Sequence, residues 1–350
     1  MHTDRRKEIL DWVRLFGRDP IAIACMQKGM SYYQCSFGVL AYKKVGNVCI
    51  SLGTPLCEPH DQLELLQRFR MSARKVVLCY LDTHSLEILR DEPFYFAGLG
   101  FDRYVDMEAT LRQQSGPLMG AIKKARKAGL ELRELDPAAM GRHQFEHFER
   151  IQRAYLDNFR YQKEIGFINS PLEFNLEGKR YFFLHQQDQA NPFGFIVLNA
   201  YGEAGKIRGY LLDIIRFEKT RLWGVWLSSV YTLSELLQRE NRELCLGFCP
   251  LYGICRQYDN SAILGWQVRL LAHFMSRANY PSRLYQMKTI IPGVNRSRYF
   301  ASYTRNVMPA LSALFRASGV RLRDLLPVAV GRSVSPSVHQ TLLDAHHEAR

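Results

Sequence analysis

Between residues 207 and 253 the chain reads IRGYLLDIIR, then FEKTRLWGVWLSSVYTLSELLQREN, then RELCLGFCPLYG. These are an apolar run of strand length, a stretch with helical apolar spacing and a second apolar run. Strand-helix-strand units of this kind place strand ends and loops beside ligands. The first strand holds Asp213 and Arg216. A run this apolar rarely carries a carboxylate and a guanidinium unless they have partners or a task. In a regular strand, positions three apart point to opposite faces. The two charges therefore meet one ligand only if the strand bulges between them or ends before Arg216. The second strand closes at Pro250, which must leave the sheet or sit at an edge.

With 350 residues, 47% of them hydrophobic, the chain can build a substantial core in one large or two medium domains. Its net charge is +13, and +9 of that falls between residues 205 and 305. That balance speaks for anionic partners, nucleic acid or membrane headgroups. Cys25, Cys35, Cys49, Cys57, Cys79, Cys245, Cys249 and Cys255 lie mostly inside apolar runs. The N-terminal segment MHTDRRKEILDW has no apolar core of the signal-peptide kind. The expectation is a reducing cytoplasm with free thiols. No run approaches the ~20 apolar residues of a membrane span, so any membrane contact would be peripheral, at the inner face.

Along the chain, residues 4–27 read as a helix broken near Gly17, Asp19 and Pro20, followed by strands at 32–35, 39–42 and 48–52. Gly46-Asn47 marks a hairpin. A helix at 60–74, a strand at 76–81, a short helix at 85–90 and an aromatic strand at 94–107 come next. A basic helix over 118–128, a strand from 130 and a long helix over 137–159 lead into the second half. That half repeats the first in the order helix, strands, strand-helix-strand. The spacing predicts a duplicated α/β unit, with one domain over 1–136, a second carrying the active site over 137–326, and a flexible tail at 327–350.

Five features carry chemistry, each with a plainer alternative. Asp213 and Arg216 are either a structural pair or a carboxylate for an ammonium beside a guanidinium for phosphate or carboxylate. Residues 288–298, KTIIPGVNRSR, place Lys288, Arg296 and Arg298 around a Pro-Gly turn ahead of Tyr299 and Phe300. Cations with interleaved aromatics suit a phosphate backbone and stacked bases; otherwise they are a solvated basic loop. The basic helix with Lys123, Lys124, Arg126 and Lys127 is a solvated face or a phosphate contact. His143, Glu146 and His147 match H-x-x-E-H, but without an apolar framework or a third ligand they read as a surface helix, and no metal is expected. Cys245, Cys249 and Cys255 read as buried thiols. No P-loop, nucleophile elbow or dinucleotide fingerprint is present. Nor is the glycine-rich pyrophosphate loop of acetyl-CoA enzymes, which argues against a simple CoA-dependent reaction.

Taken in order, several short motifs resemble one family, the soluble catalytic domain of phosphatidylglycerol lysyltransferases of the multiple peptide resistance factor type. Ala41-Tyr42 through Gly53-Thr54-Pro55 is similar to a strand pair ending in G-D-P, with Thr54 in place of the Asp. Gly100-Phe101 and Asp106-Met107-Glu108-Ala109 follow. Lys123-Lys124-Ala125-Arg126-Lys127-Ala128-Gly129 resembles the basic helix before the second unit. Glu164-Ile165-Gly166-Phe167 is similar to E-x-G-F, Asp213-Ile214-Ile215-Arg216 to D-L-M-R, and Leu246-Gly247-Phe248-Cys249-Pro250-Leu251 to L-G-M-A-P-L. Residues 288–300 resemble K-F-x-P-x-W-x-x-R-Y-L without its Trp.

The resemblance implies two tandem GNAT-like domains, each a mixed central sheet flanked by helices. It implies aminoacyl transfer from an aminoacyl-tRNA to a phosphatidylglycerol hydroxyl, a sterol or a small metabolite, with no cofactor. Asp213 would hold the donor ammonium or take the acceptor proton. Arg216 and Lys288 would bind anionic groups, and Arg296 and Arg298 would extend a phosphate track. Lys123 and Arg126 would contact phosphate or headgroups, and Glu164 would read the donor side chain. Two other readings stay open: a CoA- or carrier-dependent N-acyltransferase, and a non-catalytic basic module binding tRNA or an anionic membrane.

Overall fold

A computed structural model describes residues 2–113, 116–158, 164, 166–174, 177–187, 189–218, 222–276, 279–306 and 308–319. Its first half contains α1 (His2–Phe16), β1 (Ser31–Cys35), β2 (Gly38–Val45), β3 (Val48–Leu52), β4 (Leu56–Cys57), α2 (Gln62–Ser72), β5 (Val76–Leu81), α3 (Thr83–Ile88), β6 (Tyr95–Val105), α4 (Met107–Arg112) and α5 (Pro117–Lys127). The second contains β7 (Leu130–Leu135), α6 (Arg142–Asn158), β8 (Lys179–Gln186), β9 (Gly194–Glu203), β10 (Lys206–Phe217), α7 (Leu222–Arg239) and β11 (Glu243–Pro250). It closes with α8 (Ala262–Ser276), α9 (Asn279–Ile290), β12 (Gly293–Ser302) and α10 (Met308–Ala317). The tail expected over 327–350 lies outside the described residues.

The expected duplication is visible in the connections. In the first half, β2 and β3 form a hairpin, α2 crosses over, and β5 returns parallel to β3. In the second, β9 and β10 form a hairpin, α7 crosses over, and β11 returns parallel to β10. Gly46, with φ of +62°, takes the first position of the β2–β3 turn, where a two-residue hairpin favours glycine. The fold is the mixed α/β arrangement expected from the sequence, a mixed sheet flanked by helices with a repeated hairpin-helix-strand unit.

The two halves share one sheet, ordered β1-β2-β3-β5-β12-β6-β11-β10-β9-β8-β7, with β4 paired to β2. The C-terminal strand β12 sits between β5 and β6 of the first half, and β6 pairs with β11 of the second. Helices cover both faces, as the unbroken apolar runs of the central strands require. On one face Phe182, Leu184, Ile196, Leu198 and Leu212 pack with α5 and α7. On the other, Tyr181, Phe183, Val197 and Ile214 pack with Phe148 and Ile151 of α6.

One expectation changes here. Residues 288–298 are not a basic loop around a turn: Lys288 lies in the last turn of α9, and Gly293–Ser302 is an interior strand. Pro292 stands just ahead of the strand and its carbonyl accepts from Asp106 N at 2.9 Å. The Pro-Gly pair marks the entry to a strand, and the cations that follow find their partners on distant segments.

Candidate active site

The ladder joining β10 to β11 stops early. Gly209, Tyr210 and Leu211 face Glu243, Leu244 and Cys245, and no pairing between the two strands is seen beyond that point among the described residues. Both strands are disturbed at the same level. On β10, Leu212 faces Leu198 and Ile214 faces Val197, so Asp213 is the extra residue of a β-bulge. On β11, the pairing to β6 slips between Cys245 and Phe248, and Gly247 there has φ of +80°. A parallel pair that parts in this way leaves two strand arms around a gap, the place where an α/β sheet presents residues to a ligand.

The bulge resolves the facing problem. Ile214 packs against α6, and the Arg216 guanidinium stacks 4.2 Å from the Tyr155 ring, also on α6. Asp213 joins that same side, where Asn199 donates to it at 2.7 Å. Asn199 is two residues from Val197, which faces α6, and so shares its face. Asp213 is half-buried, and the desolvation it meets there pushes its carboxyl above the ordinary range; the charge of Lys179 and hydrogen bonds from Asn199 and Ser170 pull it back. Arg216 donates to Ile215 O at 3.2 Å, while its buried Nε has no partner among the described residues.

Glu164 converges on this group. It accepts from Gln152 of α6 at 2.7 Å and from Leu172 N at 3.4 Å, and its charge acts on Lys179 as Asp213's does. Lys288, at the end of α9, stands beside the other arm. It is buried, and its ammonium donates to Phe248 O at 3.0 Å on β11. Burial draws its pKa down, opposed by Cys249, Cys245 and Asp102 rather than by Asp213.

The remaining cations lie elsewhere. Arg298 was expected on a phosphate track; it is instead in the core, 4% exposed, donating to Asp102 at 2.7 Å and to Asp19 at 2.7 Å and stacked on Tyr80. The Tyr80 hydroxyl donates to Asp102 at 2.6 Å. Its Nε and Nη1 are spent on two carboxylates in the core, away from the surface a substrate phosphate would approach. Arg296 is exposed, lies 3.8 Å from the Tyr104 ring and reaches Glu243 at 3.4 Å. Lys123 and Arg126 are exposed on α5, whose Leu118, Ala121 and Ile122 pack on the sheet face opposite α6. They do not join the Asp213 group. His143 and His147 touch each other at 3.0 Å on α6, and His147 is buried rather than on the surface. Among the described residues no cluster of three or more metal-ligating side chains is present. Cys245 and Cys249 are buried thiols and Cys255 is partly buried.

Residues 13–302 match the family model described as phosphatidylglycerol lysyltransferase, C-terminal. The chain belongs to this family. Among solved structures, it is similar to the C-terminal domain of a putative lysylphosphatidylglycerol synthetase from Agrobacterium fabrum, with a TM-score of 0.72 and 15% identity over 90% of this chain and 96% of that one. It is equally similar to L-PGS from Bacillus licheniformis, at a TM-score of 0.72 and 16% identity over 89% and 96%. A protein of unknown function from Bacteroides thetaiotaomicron aligns at a TM-score of 0.52 and 12% identity over 85% and 96%. No curated protein sequence is similar enough to this chain to count as a match. The phosphatidylglycerol lysyltransferase family is one of aminoacyltransferases, so the chain is read as an enzyme.

Within this lysyltransferase fold the duplication lets the two units be compared at one matching position. In the first, β3 and β5 last pair at Leu52 and Cys79, and Thr54 stands two residues on. In the second, β10 and β11 last pair at Leu211 and Cys245, and Asp213 stands two residues on. Thr54 donates from N and Oγ1 to Asp19, at 2.9 and 2.7 Å, and Asp19 is held by Arg298. The first unit's equivalent of the Asp213 position is thus tied into a structural network. Lys179, Asn199, Ser170, Gln152 and Tyr155 were not anticipated as parts of the site. Asn199 had a signal of the same kind as Asp213, a polar residue inside the apolar run FIVLNA.

Proposed function

We propose that this chain transfers an aminoacyl group from a charged tRNA to a hydroxyl of an anionic phospholipid such as phosphatidylglycerol. The observation that carries the reading is the β10 bulge, which brings Asp213 and Arg216 to one face beside the parted β10–β11 pair. The names of the Agrobacterium and Bacillus relatives supply the substrate class.

The donor ester is already activated, so the site has to position two substrates and stabilise the oxyanion rather than supply a cofactor. The acceptor oxygen bonds to the ester carbonyl carbon while the bond to the tRNA 3′-terminal oxygen breaks. The acceptor's proton ends on that leaving oxygen. Asp213 holds the donor ammonium or relays the proton, Arg216 offers its guanidinium charge to the developing oxyanion or a phosphate, and Glu164 reads the donor side chain. Lys288 anchors the β11 arm and faces an anionic group there. Lys123 and Arg126, with Arg296, lie outside this group and serve the polyanionic backbone or headgroups by long-range attraction. No helix among the described residues is long and apolar enough to cross a membrane. The reading is a cytoplasmic catalytic domain that works peripherally at the inner membrane face.

The test is to incubate the purified protein with tRNA charged with labelled amino acids and with phosphatidylglycerol vesicles, a total lipid extract or a metabolite extract. Labelled phosphatidylglycerol is expected. Transfer only to a small metabolite overturns the lipid acceptor. Transfer only from acetyl-CoA or a carrier, or none from any of the twenty charged tRNAs, overturns the donor.

A further inference from the structure

Three neighbouring strands set one row of polar side chains into an otherwise apolar face. Lys179 begins β8 and lies directly across from Asn199 on β9, and Asn199 donates to Asp213 on β10. Lys179 is only 6% exposed, a degree of burial lysine almost never tolerates without a carboxylate nearby. Its backbone is held firmly: Gly178 ahead of it takes φ of +82°, and the Gly178 carbonyl accepts from Ala200 N at 2.6 Å. The charges facing it come from every surrounding segment: Asp213 on β10, Glu173 and Glu164 from the loop between α6 and β8, and Arg6 from α1. Glu173 is itself paired with Arg6 at 2.8 Å, and its carbonyl accepts from the Tyr181 hydroxyl at 2.8 Å. Glu164 is engaged by Gln152. Asp213 and Lys179 stand on either side of Asn199 in the row, and each favours the charged form of the other. Arg216, the cation that shares a motif with Asp213, is instead turned to Tyr155 and its own backbone.

We propose that Lys179 is a positioning residue of the transfer site, the buried counter-ion that keeps Asp213 charged and oriented by Asn199. This rests on the reading of Asp213 as the group that meets the donor ammonium or the acceptor proton. Lys179 acts through Asp213 and touches neither substrate. A buried carboxylate without such a cation takes up a proton instead, and a protonated Asp213 can neither hold an ammonium nor receive a proton.

The experiment compares wild type with Lys179→Met, Lys179→Arg, Asp213→Asn and the Lys179→Met/Asp213→Asn double variant, by thermal unfolding and by the pH profile of aminoacyl transfer. Lys179→Met is expected to move the acid limb of kcat/KM up by about one pH unit or more, the size of effect one nearby opposite charge has on a carboxylate. Lys179→Arg is expected to keep that limb near its wild-type position. The melting loss of Lys179→Met is expected to shrink by half or more in the Asp213→Asn background. An unmoved acid limb, or additive melting losses, overturns the proposal. If Lys179→Met does not fold, a folded double variant supports the pair and an unfolded one overturns it. Wild-type protein that transfers nothing while the unfolding cycle still shows coupling overturns the transferase reading, and with it the positioning role, by a route distinct from additive losses.

Discussion

Replacing Arg298 by Met separates a structural guanidinium from a phosphate-binding one. Arg298 is enclosed with Asp102 and Asp19, side chains 5%, 0% and 9% exposed. Burial alone would press the guanidinium toward its neutral form, but the two carboxylates outweigh it and hold its pKa well above the usual value. Removing it leaves two enclosed carboxylates without their cation, which costs about 3–5 kcal/mol. Each keeps other donors: Tyr80 for Asp102, and Thr54 for Asp19. Those bonds place the loss toward the lower part of that range. At about 2–4 °C per kcal/mol for a domain of this order of size, the melting temperature falls by about 6–15 °C. Arg296→Met is the contrast, an exposed side chain whose loss is worth under about 1 kcal/mol. Thermal unfolding of both variants, with tRNA binding at low and moderate salt, checks this. Arg298→Met melting within about 2 °C of wild type while losing tRNA affinity would refute the structural assignment. Neutralising the whole triad, with Asp19→Asn and Asp102→Asn added, is expected to recover part of the lost stability, since it removes the unpaired charges.

Asp213→Asn is expected to lower transfer at least tenfold, about 1.4 kcal/mol, with the fold retained; more than a tenth of wild-type activity counts against its role. Because burial holds the Asp213 carboxyl above the ordinary range, the wild-type acid limb should lie above that of a solvent-exposed aspartate, with activity lost as pH falls through it. Tyr155→Leu removes the ring under Arg216 and should cost several-fold in kcat/KM, in line with about 0.5–2 kcal/mol for such a stack; an unchanged value would show that the stack does not hold Arg216. The pair Lys123→Glu and Arg126→Glu should leave melting unchanged while weakening tRNA or vesicle binding and flattening its salt dependence; equal binding at all salt concentrations would remove α5 from the interface.

The two halves show how far pattern reasoning reaches. The period of the apolar residues identified β10, α7 and β11, because a local periodicity reports which face of an element is buried, and the Gly46-Asn47 turn residues identified the β2–β3 hairpin. It identified the duplication for the same reason. It misjudged residues 288–298, where Pro292-Gly293 and three cations read as a basic loop around a turn, yet Gly293 opens an interior strand that carries Arg296 and Arg298.

What the sequence alone determined is therefore the unit, strand-helix-strand twice over, and the position of two charges that did not belong in an apolar run. Tertiary structure alone decided where those charges point. One extra residue in the β9–β10 ladder turned Asp213 to the face of Arg216, and a bulge is a property of a pair of strands rather than of either one. Arg298 and Arg296 are two positions apart in the same strand, yet one is sealed between carboxylates from residues 19 and 102 and the other is open to solvent. Nothing within ten residues of either reports that difference, because the cost of burying a charge depends on partners brought in from across the fold.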